Sequence, residues 1–304
     1  MTDFLSVGEC MVELSGAGDG LWRQAFAGDT FNTAWYVRAC APSDRSVGYL
    51  TSVGRDAISD AMVSFMDSAG VDTRWISRHP TRAPGLYMID LKDGERSFTY
   101  WRDASAARTL ADDPDHLARS FAQARMIYFS GITLAILTPE RRQVLLDAMK
   151  ASPAQVAFDP NLRPRLWASG DEMRDWIMRG AAVSDIALPS HDDEAAHFGD
   201  ADVEATARRY ADAGVTEVVV KNGGGPMLAM AGGVPQPLPG GSRQTPVDTT
   251  GAGDSYNGGY LAARLAGADM TRAARCGHEM ALQVIATRGA LLPMDRIRNP
   301  YTGE

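Results

Sequence analysis

Short apolar runs alternate with longer segments of helical periodicity along most of the chain. Apolar runs bounded by glycine or polar residues are typical of buried strands, and apolar residues that recur every three or four positions are typical of helices. The predicted strands are Phe4–Val12, Ser46–Ser52, Met126–Phe129, Val156–Phe158, Ile186–Leu188 and Glu217–Lys221. The predicted helices are Asp29–Ala41 (with Asp29 or Thr30 as the cap), Asp56–Ala69, Pro139–Lys150, Asp171–Gly180, Asp202–Ala213, Gly251–Ala266 and Thr271–Ala286. These repeated βα units predict an α/β fold, with a central, mostly parallel sheet flanked by helices on both faces and ligand sites at the carboxyl ends of its strands.

The pattern changes between about residues 71 and 103. Gly85–Leu91 and Arg96–Trp101 are β-rich runs without an intervening helix, and the Asp93-Gly94 pair between them predicts a hairpin turn. A glycine-rich loop is expected at Gly16–Gly20. We therefore expect one α/β body over residues 1–304, with a small β-sheet lid inserted from about 15–26 and 71–103. The Gly/Pro-rich segment at Gly223–Gly241 predicts a hairpin and loop.

Composition and charge narrow the class of protein. The chain has 304 residues, 45% hydrophobic and 22% charged, which is typical of a globular protein. Its formal net charge of −8 argues against a nucleic-acid binder. The three cysteines, Cys10, Cys40 and Cys276, show no disulfide or zinc spacing. With no basic leader and no long apolar segment, we expect a cytoplasmic protein that does not enter a membrane.

The strongest chemical signal is DTTGAGD at Asp248–Asp254, followed by a helical pattern. Its Gly-Ala-Gly lets the backbone approach a ligand closely, and the free amides at a helix start favour phosphate. Asp254 is either an ordinary first-turn acid or a general base beside a transferred phosphate, and the local pattern leaves both open. The P-loop motif is absent, and the first strand lacks a dinucleotide Gly-x-Gly-x-x-Gly.

DTTGAGDSYNGGYL at Asp248–Leu261 resembles the C-terminal signature of the ribokinase-like (PfkB) carbohydrate kinases, and AGDTFNTA at Ala27–Ala34 resembles their N-terminal signature. The two lie about 220 residues apart, and the similarity spans nearly the whole chain. The resemblance implies a ribokinase-like fold that uses ATP and Mg²⁺. It also implies that Asp254 is the general base and that the amides of Gly251, Ala252 and Gly253 stabilise the transferred phosphoryl group.

Within the family, GECMVEL (8–14), PGLYMID (84–90), GERSFTYWRDASAAR (94–108) and DPNLR (159–163) look most like the kinases of 2-keto-3-deoxygluconate. This similarity implies transfer of the ATP γ-phosphate to the 6-hydroxyl of a sugar acid. The implied substrate-binding residues are Arg102 and Arg163 for the carboxylate, Tyr87 and Tyr100 for the sugar chain, and Gly28 and Asn32 for the hydroxyl end.

The same resemblance implies a set of nucleotide-binding residues. They are Asn161, Ser190, Lys221, Gly223, Gly224, Gly251, Gly253 and His278. Lys221 is either an ATP contact or structural, and His278 is either near adenine or a partly exposed helix residue. In the family's Asn-x-x-Glu motif, Ser190 replaces Asn and Asp193 stands where Glu is usual. We therefore expect Asp193 to hold magnesium through water, with Glu194 as the alternative.

Two other functions remain open at this stage: a kinase for a neutral sugar of the fructokinase or ribokinase type, and a non-catalytic sugar- or nucleotide-binding regulator on the same fold. The resemblance also implies a homo-oligomer, a dimer or larger, that pairs through the β lid. Trp22, Trp75 and Trp101 would either supply that contact or form the lid's own core.

Overall fold

Strands and helices alternate as predicted in a computed structural model that describes residues 1–92, 95–238 and 244–303. The strands are β1 (Thr2–Val7), β2 (Met11–Gly18), β3 (Leu21–Ala27), β4 (Val47–Val53), β5 (Val71–Asp72), β6 (Ile76–Arg78), β7 (Leu86–Lys92), β8 (Glu95–Trp101), β9 (Ala124–Ser130), β10 (Gln155–Asp159), β11 (Ile186–Ala187), β12 (Glu217–Val220), β13 (Met227–Ala231) and β14 (Val234–Leu238). The helices are α1 (Asp29–Cys40), α2 (Ala57–Ser68), α3 (Pro114–Ala122), α4 (Gly131–Ala135), α5 (Pro139–Lys150), α6 (Gly170–Ala181), α7 (His191–Phe198), α8 (Val203–Asp212), α9 (Ala252–Leu265) and α10 (Met270–Ile285). The expected Asp93-Gly94 turn and the end of the Gly223–Gly241 segment lie outside the described residues.

The larger sheet has the order β14-β13-β12-β11-β10-β9-β1-β4-β5, and β6 also pairs with β4. The strands from β12 to β5 run parallel, whereas β13 and β14 form an antiparallel hairpin at one edge. Successive side chains of β9 enter opposite cores, Met126 and Tyr128 on one face and Ile127 and Phe129 on the other. Helices α1, α2, α9 and α10 cover the first face, and α3–α6 and α8 cover the second. This confirms the predicted fold class.

The smaller sheet contains β3, β2, β7 and β8 in that order. It is built from two hairpins, β2–β3 and β7–β8, joined by parallel pairing of β2 with β7. The strands Val71–Asp72 and Ile76–Arg78 pair with β4 of the larger sheet instead of joining the insertion that was expected from residue 71. Trp75 between them is accordingly buried in the main body.

The expected single strand at Phe4–Val12 is wrong, because the chain breaks between β1 and β2 at Gly8–Cys10. At this break Gly8 passes the first turn of α1, and a Cβ on Gly8 would lie 2.4 Å from Thr30 Oγ1. The residues after the break start β2 of the smaller sheet, which runs on to Gly18 through the start of the predicted Gly16–Gly20 loop. The break leaves Glu9 at the carboxyl end of β1, where the ligand site was expected.

The start of α1 also differs from the prediction. Gly28 occupies the cap position and no side chain caps the helix, so neither Asp29 nor Thr30 acts as the cap. The Asp29 carboxylate instead accepts a hydrogen bond from Asn161 Nδ2 at 2.9 Å, beyond the carboxyl end of β10. A carboxylate that sequence patterns assign to helix capping thus faces the centre of the molecule.

No helix in the described part of the chain is long and apolar enough to cross a membrane. Cys10, Cys40 and Cys276 are all buried free thiols, in agreement with the absence of disulfide spacing. The fold therefore depends on its two apolar cores, one on each face of the larger sheet, and not on cross-links.

Candidate active site

A cavity of about 690 Å³ opens at the carboxyl ends of the parallel strands, between the larger sheet and the smaller one. It is lined by most of the site residues expected from the sequence: Gly28, Asn32, Tyr87, Tyr100, Arg102, Asn161, Arg163, Ser190, Asp193, Lys221, Gly251, Ala252, Gly253 and Asp254. Gly223, Gly224 and His278 are absent from this lining. The structure thus brings the expected sugar-binding and phosphate-binding motifs into one space, and leaves three expected nucleotide residues outside it.

Helix α9 begins at the floor of this cavity. Gly251 is its cap, with a φ of 75° in the left-handed region. The Asp248 carboxylate accepts hydrogen bonds from Thr250 N at 3.0 Å and from Gly289 N at 2.7 Å. These contacts fold the loop so that the first amides of α9 face the cavity, with the positive end of the helix dipole behind them. Such an arrangement favours an anion.

Asp254 lies in the first turn of α9, and its Oδ2 accepts a hydrogen bond from Asn32 Nδ2 at 2.8 Å. Burial and the nearby carboxylates of Asp29 and Asp159 raise the pKa of Asp254 to about 7. The hydrogen bond from Asn32 and the charge of Lys221 act in the opposite direction. A carboxylate whose pKa lies near neutrality is suited to accept a proton from a hydroxyl.

Lys221 is almost fully buried and has two polar partners. Its Nζ lies 3.1 Å from Asp159 Oδ2 and 3.1 Å from Asn257 Oδ1, and Asn257 Nδ2 also donates to Asp159 at 2.6 Å. Asp159 is the last residue of β10, and Lys221 comes directly after β12. Asn257 lies one turn after Asp254 on α9. The three side chains therefore connect two strand ends to the helix that carries Asp254.

Arg102 is 8% exposed and pairs with Glu9, which is 2% exposed. Arg102 donates from Nε and Nη2 to the same Glu9 oxygen, Oε2, with the Nε contact at 2.9 Å. The other oxygen, Glu9 Oε1, is buried without a hydrogen-bond partner. Glu9 therefore fixes one edge of the guanidinium, and the Nη1 side remains for a further partner.

The two expected tyrosines, Tyr87 and Tyr100, differ in exposure and in the hydrogen bonding of their hydroxyl groups. The hydroxyl of Tyr87 donates to Glu13, its cross-strand neighbour on β2, and burial raises its pKa. Tyr100 is about half exposed and its ring stacks beside those of Tyr87 and Phe98. Tyr87 thus presents mainly its ring to the cavity, whereas Tyr100 presents an exposed ring and hydroxyl.

The two candidate acids for a metal are separated by the structure. Asp193 lines the cavity, is partly exposed and lies 3.8 Å from Arg163. Glu194 is fully buried outside the cavity, where its carboxylate accepts hydrogen bonds from Arg209 at 2.7 Å and Tyr210 at 2.9 Å. Burial raises the pKa of both acids, that of Glu194 to about 7. Of these two acids, only Asp193 is available to a ligand in the cavity.

The donor set around Asp193 fits a magnesium ion held mainly by water and phosphate. The described part of the chain contains no cluster of three or more histidine, cysteine or acidic side chains with metal-binding geometry. Mg²⁺ is commonly bound by one or two carboxylates when substrate phosphates and water provide its other oxygens, and Asp193 can supply one of them.

Several residues of the site were missed by the sequence reasoning. They are Glu9, Asp29, Asp103, Asp159, Arg165 and Asn257. Most of them lie inside motifs that resemble those of the family, such as GECMVEL and DPNLR. For Glu9 and Asp159 the usable signal was their position at or just after the end of an apolar strand, because the carboxyl ends of parallel strands meet at one edge.

Comparison with known proteins shows the family to which the chain belongs. A family model described as pfkB family carbohydrate kinase matches residues 1–297. The chain is 42% identical over 302 residues to a 2-dehydro-3-deoxygluconokinase of Dickeya dadantii (strain 3937), covering 95% of this chain and 96% of that protein. The structure of a 2-dehydro-3-deoxygluconokinase from Thermotoga maritima superposes with a TM-score of 0.83, at 20% identity and 100% coverage of both chains.

A second solved structure, a putative ribokinase II from E. coli in complex with ATP and Mg²⁺, superposes with a TM-score of 0.81 at 23% identity. The superposition covers 100% of this chain and 96% of the ribokinase II chain. At these identities the two structures show the ribokinase-like fold alone.

Proposed function

Since the chain belongs to the pfkB family of carbohydrate kinases, we propose that it transfers the γ-phosphate of ATP to the 6-hydroxyl of 2-keto-3-deoxygluconate. The product is 2-keto-3-deoxy-6-phosphogluconate. The observation that carries the proposal is one cavity lined both by Asp254 with the first glycines of α9 and by three arginines, Arg102, Arg163 and Arg165. The Dickeya relative at 42% identity supports this choice of substrate.

Asp254 is the general base of the proposed reaction. It accepts the proton of the 6-hydroxyl as the oxygen attacks the γ-phosphorus, and the bond from that phosphorus to the ADP oxygen breaks. Asn32 holds the carboxylate in place through the 2.8 Å hydrogen bond. The amides of Gly251, Ala252 and Gly253 stabilise the negative charge that develops on the phosphoryl oxygens.

The sugar acid occupies the part of the cavity next to the smaller sheet. Arg102 and Arg163 donate to its carboxylate, and Tyr87 and Tyr100 pack against its carbon chain. Gly28 and Asn32 lie beside Asp254 and contact the hydroxyl end. Gly28 has no room for a side chain, since a Cβ there would lie 2.2 Å from the Glu9 carbonyl oxygen.

The nucleotide lies along the strand ends beyond Asp193. We assign Asn161, Ser190 and Lys221 to its phosphate side, and Gly223, Gly224 and His278 to the part that extends outside the cavity. Lys221 acts mainly through Asp159 and Asn257, which accept two of its three hydrogens. Asp193 would hold magnesium through water, and the ion would supply positive charge to the phosphates. Use of ATP agrees with the expected cytoplasmic location.

We also propose that the smaller sheet is a lid that closes over the sugar and pairs with a second copy of the chain. It exposes large apolar side chains on both of its edge strands, among them Trp22 on β3, which is 43% exposed, and Trp101 on β8, which is 55% exposed. Exposed aromatic residues of this kind are typical of interaction surfaces. Sedimentation velocity of wild type and Trp101→Lys tests the contact, with a smaller species expected for the variant.

ADP release from the purified protein over a panel of sugars and sugar acids tests the function. The expected result is highest turnover with 2-keto-3-deoxygluconate and a product phosphorylated at carbon 6. Faster turnover of fructose or ribose would make this a neutral-sugar kinase, and binding without ADP release would make it a non-catalytic sugar-binding protein.

A further inference from the structure

The three arginines of the cavity differ in how much of their charge is already compensated. Arg102 is paired with Glu9, and Arg163 lies 3.8 Å from Asp193. Arg165 has no carboxylate within ion-pair distance among the side chains that the structure describes, and it is exposed. The fourth cation of the cavity, Lys221, is paired with Asp159. Arg165 is therefore the uncompensated positive charge of the described cavity lining.

Arg165 and Arg102 line the same two cavities. A second, smaller cavity of about 400 Å³ adjoins the first, and Arg102, Asp103, Arg165 and Leu166 line both. Both arginines thus belong to the junction of the two cavities, on the side where the smaller sheet meets the body. Asp103 lies there too, but it forms no ion pair within 4 Å with either arginine.

The backbone around Arg165 is well anchored although its side chain is free. Arg165 is the middle residue of a short 3₁₀ helix, Pro164–Leu166. Leu166 packs against the core of the second face, and the buried Trp167 ring is stacked by Arg142 at 4.6 Å. A guanidinium on an anchored backbone can reach a ligand in the junction without a rearrangement of the main chain.

We propose that Arg165 provides the net positive charge that attracts and holds the carboxylate of the sugar acid, whereas Arg102 orients it. This inference rests on the proposed function. Glu9 cancels most of the charge of Arg102, so the pair acts on a second carboxylate mainly through the directed N–H groups of Arg102. Arg165 carries no such compensation, and its attraction for an anion is limited only by water and salt.

Steady-state kinetics of Arg165→Gln, Arg165→Lys and wild type test the proposal. We expect KM for 2-keto-3-deoxygluconate to rise roughly tenfold in Arg165→Gln, in line with the loss of one charged contact, and to recover in part in Arg165→Lys. The kcat and the KM for ATP stay within about twofold. Added NaCl should lower kcat/KM for the sugar acid more in wild type than in Arg165→Gln.

Arg125→Gln is the matched control, because Arg125 is an exposed arginine at the amino end of β9, on the opposite edge of the sheet. An unchanged KM for the sugar acid in Arg165→Gln overturns the inference, and so does a rise in the KM for ATP in its place. A wild type that does not phosphorylate the sugar acid overturns the proposed function together with this inference, and the wild-type assay alone reveals it.

Discussion

Asn32 Nδ2 donates a 2.8 Å hydrogen bond to Asp254 Oδ2, and the two residues are 222 positions apart in the chain. Asn32 is in the first turns of α1 and Asp254 is in the first turn of α9. The contact therefore joins the two motifs that carry the family resemblance. Asn32, from the N-terminal motif, thus holds the carboxylate of Asp254, the proposed base, in place. The site therefore needs both motifs.

Replacement of Asp254 by Asn should remove activity and increase stability. Without a base, kcat should fall by about 10²–10⁴-fold. The folded-state pKa of Asp254 is raised from 3.8 to about 7, so ionisation of this carboxyl opposes folding as the pH rises above the unfolded value, and the full cost is reached above about 7. Asp254→Asn should therefore be more stable than wild type at pH 8, on the order of 2 kcal/mol, with no gain near pH 4.

Thermal or urea unfolding from pH 4 to pH 8 measures this difference. Asp192→Asn, which changes an exposed acid in the first turn of α7, is the control. Near-normal turnover in Asp254→Asn would show that another group takes the proton.

The pH dependence of kcat/KM should reflect the ionisation of the Asp254 carboxyl. Because the base works when deprotonated, kcat/KM should rise with pH and level off above about 7. The positive charge of Lys221 lowers the pKa of Asp254, so Lys221→Met should move the midpoint of this rise to higher pH. Lys150→Met, at the exposed end of α5, should leave it in place.

Lys221→Met also leaves buried Asp159 without its cation, which should cost about 3–5 kcal/mol of stability. The folded fraction of the variant is measured at each pH, and the midpoint is taken from kcat/KM per folded enzyme. An unchanged midpoint in the fraction that retains activity would contradict the proposed coupling.

Two glycines at the start of α9, Gly251 at the cap and Gly253 in the first turn, should respond differently to alanine. A Cβ on Gly251 would lie 3.0 Å from the Ala290 carbonyl oxygen at a φ of +75°, so Gly251→Ala should lose about 1–2 kcal/mol of stability. A Cβ on Gly253 would meet only Lys221 Nζ, at 3.7 Å, so Gly253→Ala should fold normally.

The Gly253→Ala methyl group would nevertheless point into the space proposed for the phosphoryl group. We expect its kcat with ATP to fall at least tenfold while its melting temperature stays unchanged. A fully active Gly253→Ala would place the phosphoryl group elsewhere.

Substitution of Asp193, which lines the cavity, should affect metal binding, whereas substitution of its buried neighbour Glu194 should affect stability. Asp193→Asn should raise the Mg²⁺ concentration needed for half-maximal activity, with little effect on unfolding, because Asp193 is partly exposed and lines the cavity. Glu194→Ala should remove the contacts with Arg209 and Tyr210 and lower stability, with an unchanged Mg²⁺ requirement. The opposite assignment of the two effects would make Glu194 the metal acid.

The parallel sheet and most helices were predictable, because apolar periodicity reflects burial directly. Residues at strand ends were harder. Glu9 was included in an expected strand, but the chain breaks there, where Gly8 passes close to Thr30. The pairing of Arg102 with Glu9 depends on the contact between the two sheets, which no local pattern encodes. The same applies to Asp159 and Lys221, which meet through strand order.

The central claim is that the enzyme prefers a sugar acid to a neutral sugar. The most direct test is to measure kcat/KM for 2-keto-3-deoxygluconate and for fructose. Both values are measured for wild type and for the double variant Glu9→Gln, Arg102→Gln. The double change leaves no buried unpaired charge. We predict that wild type prefers the sugar acid and that the variant loses roughly 100-fold of that preference, with the loss confined to the sugar acid. A wild type that prefers fructose, or a variant with the same ratio as wild type, would contradict the account.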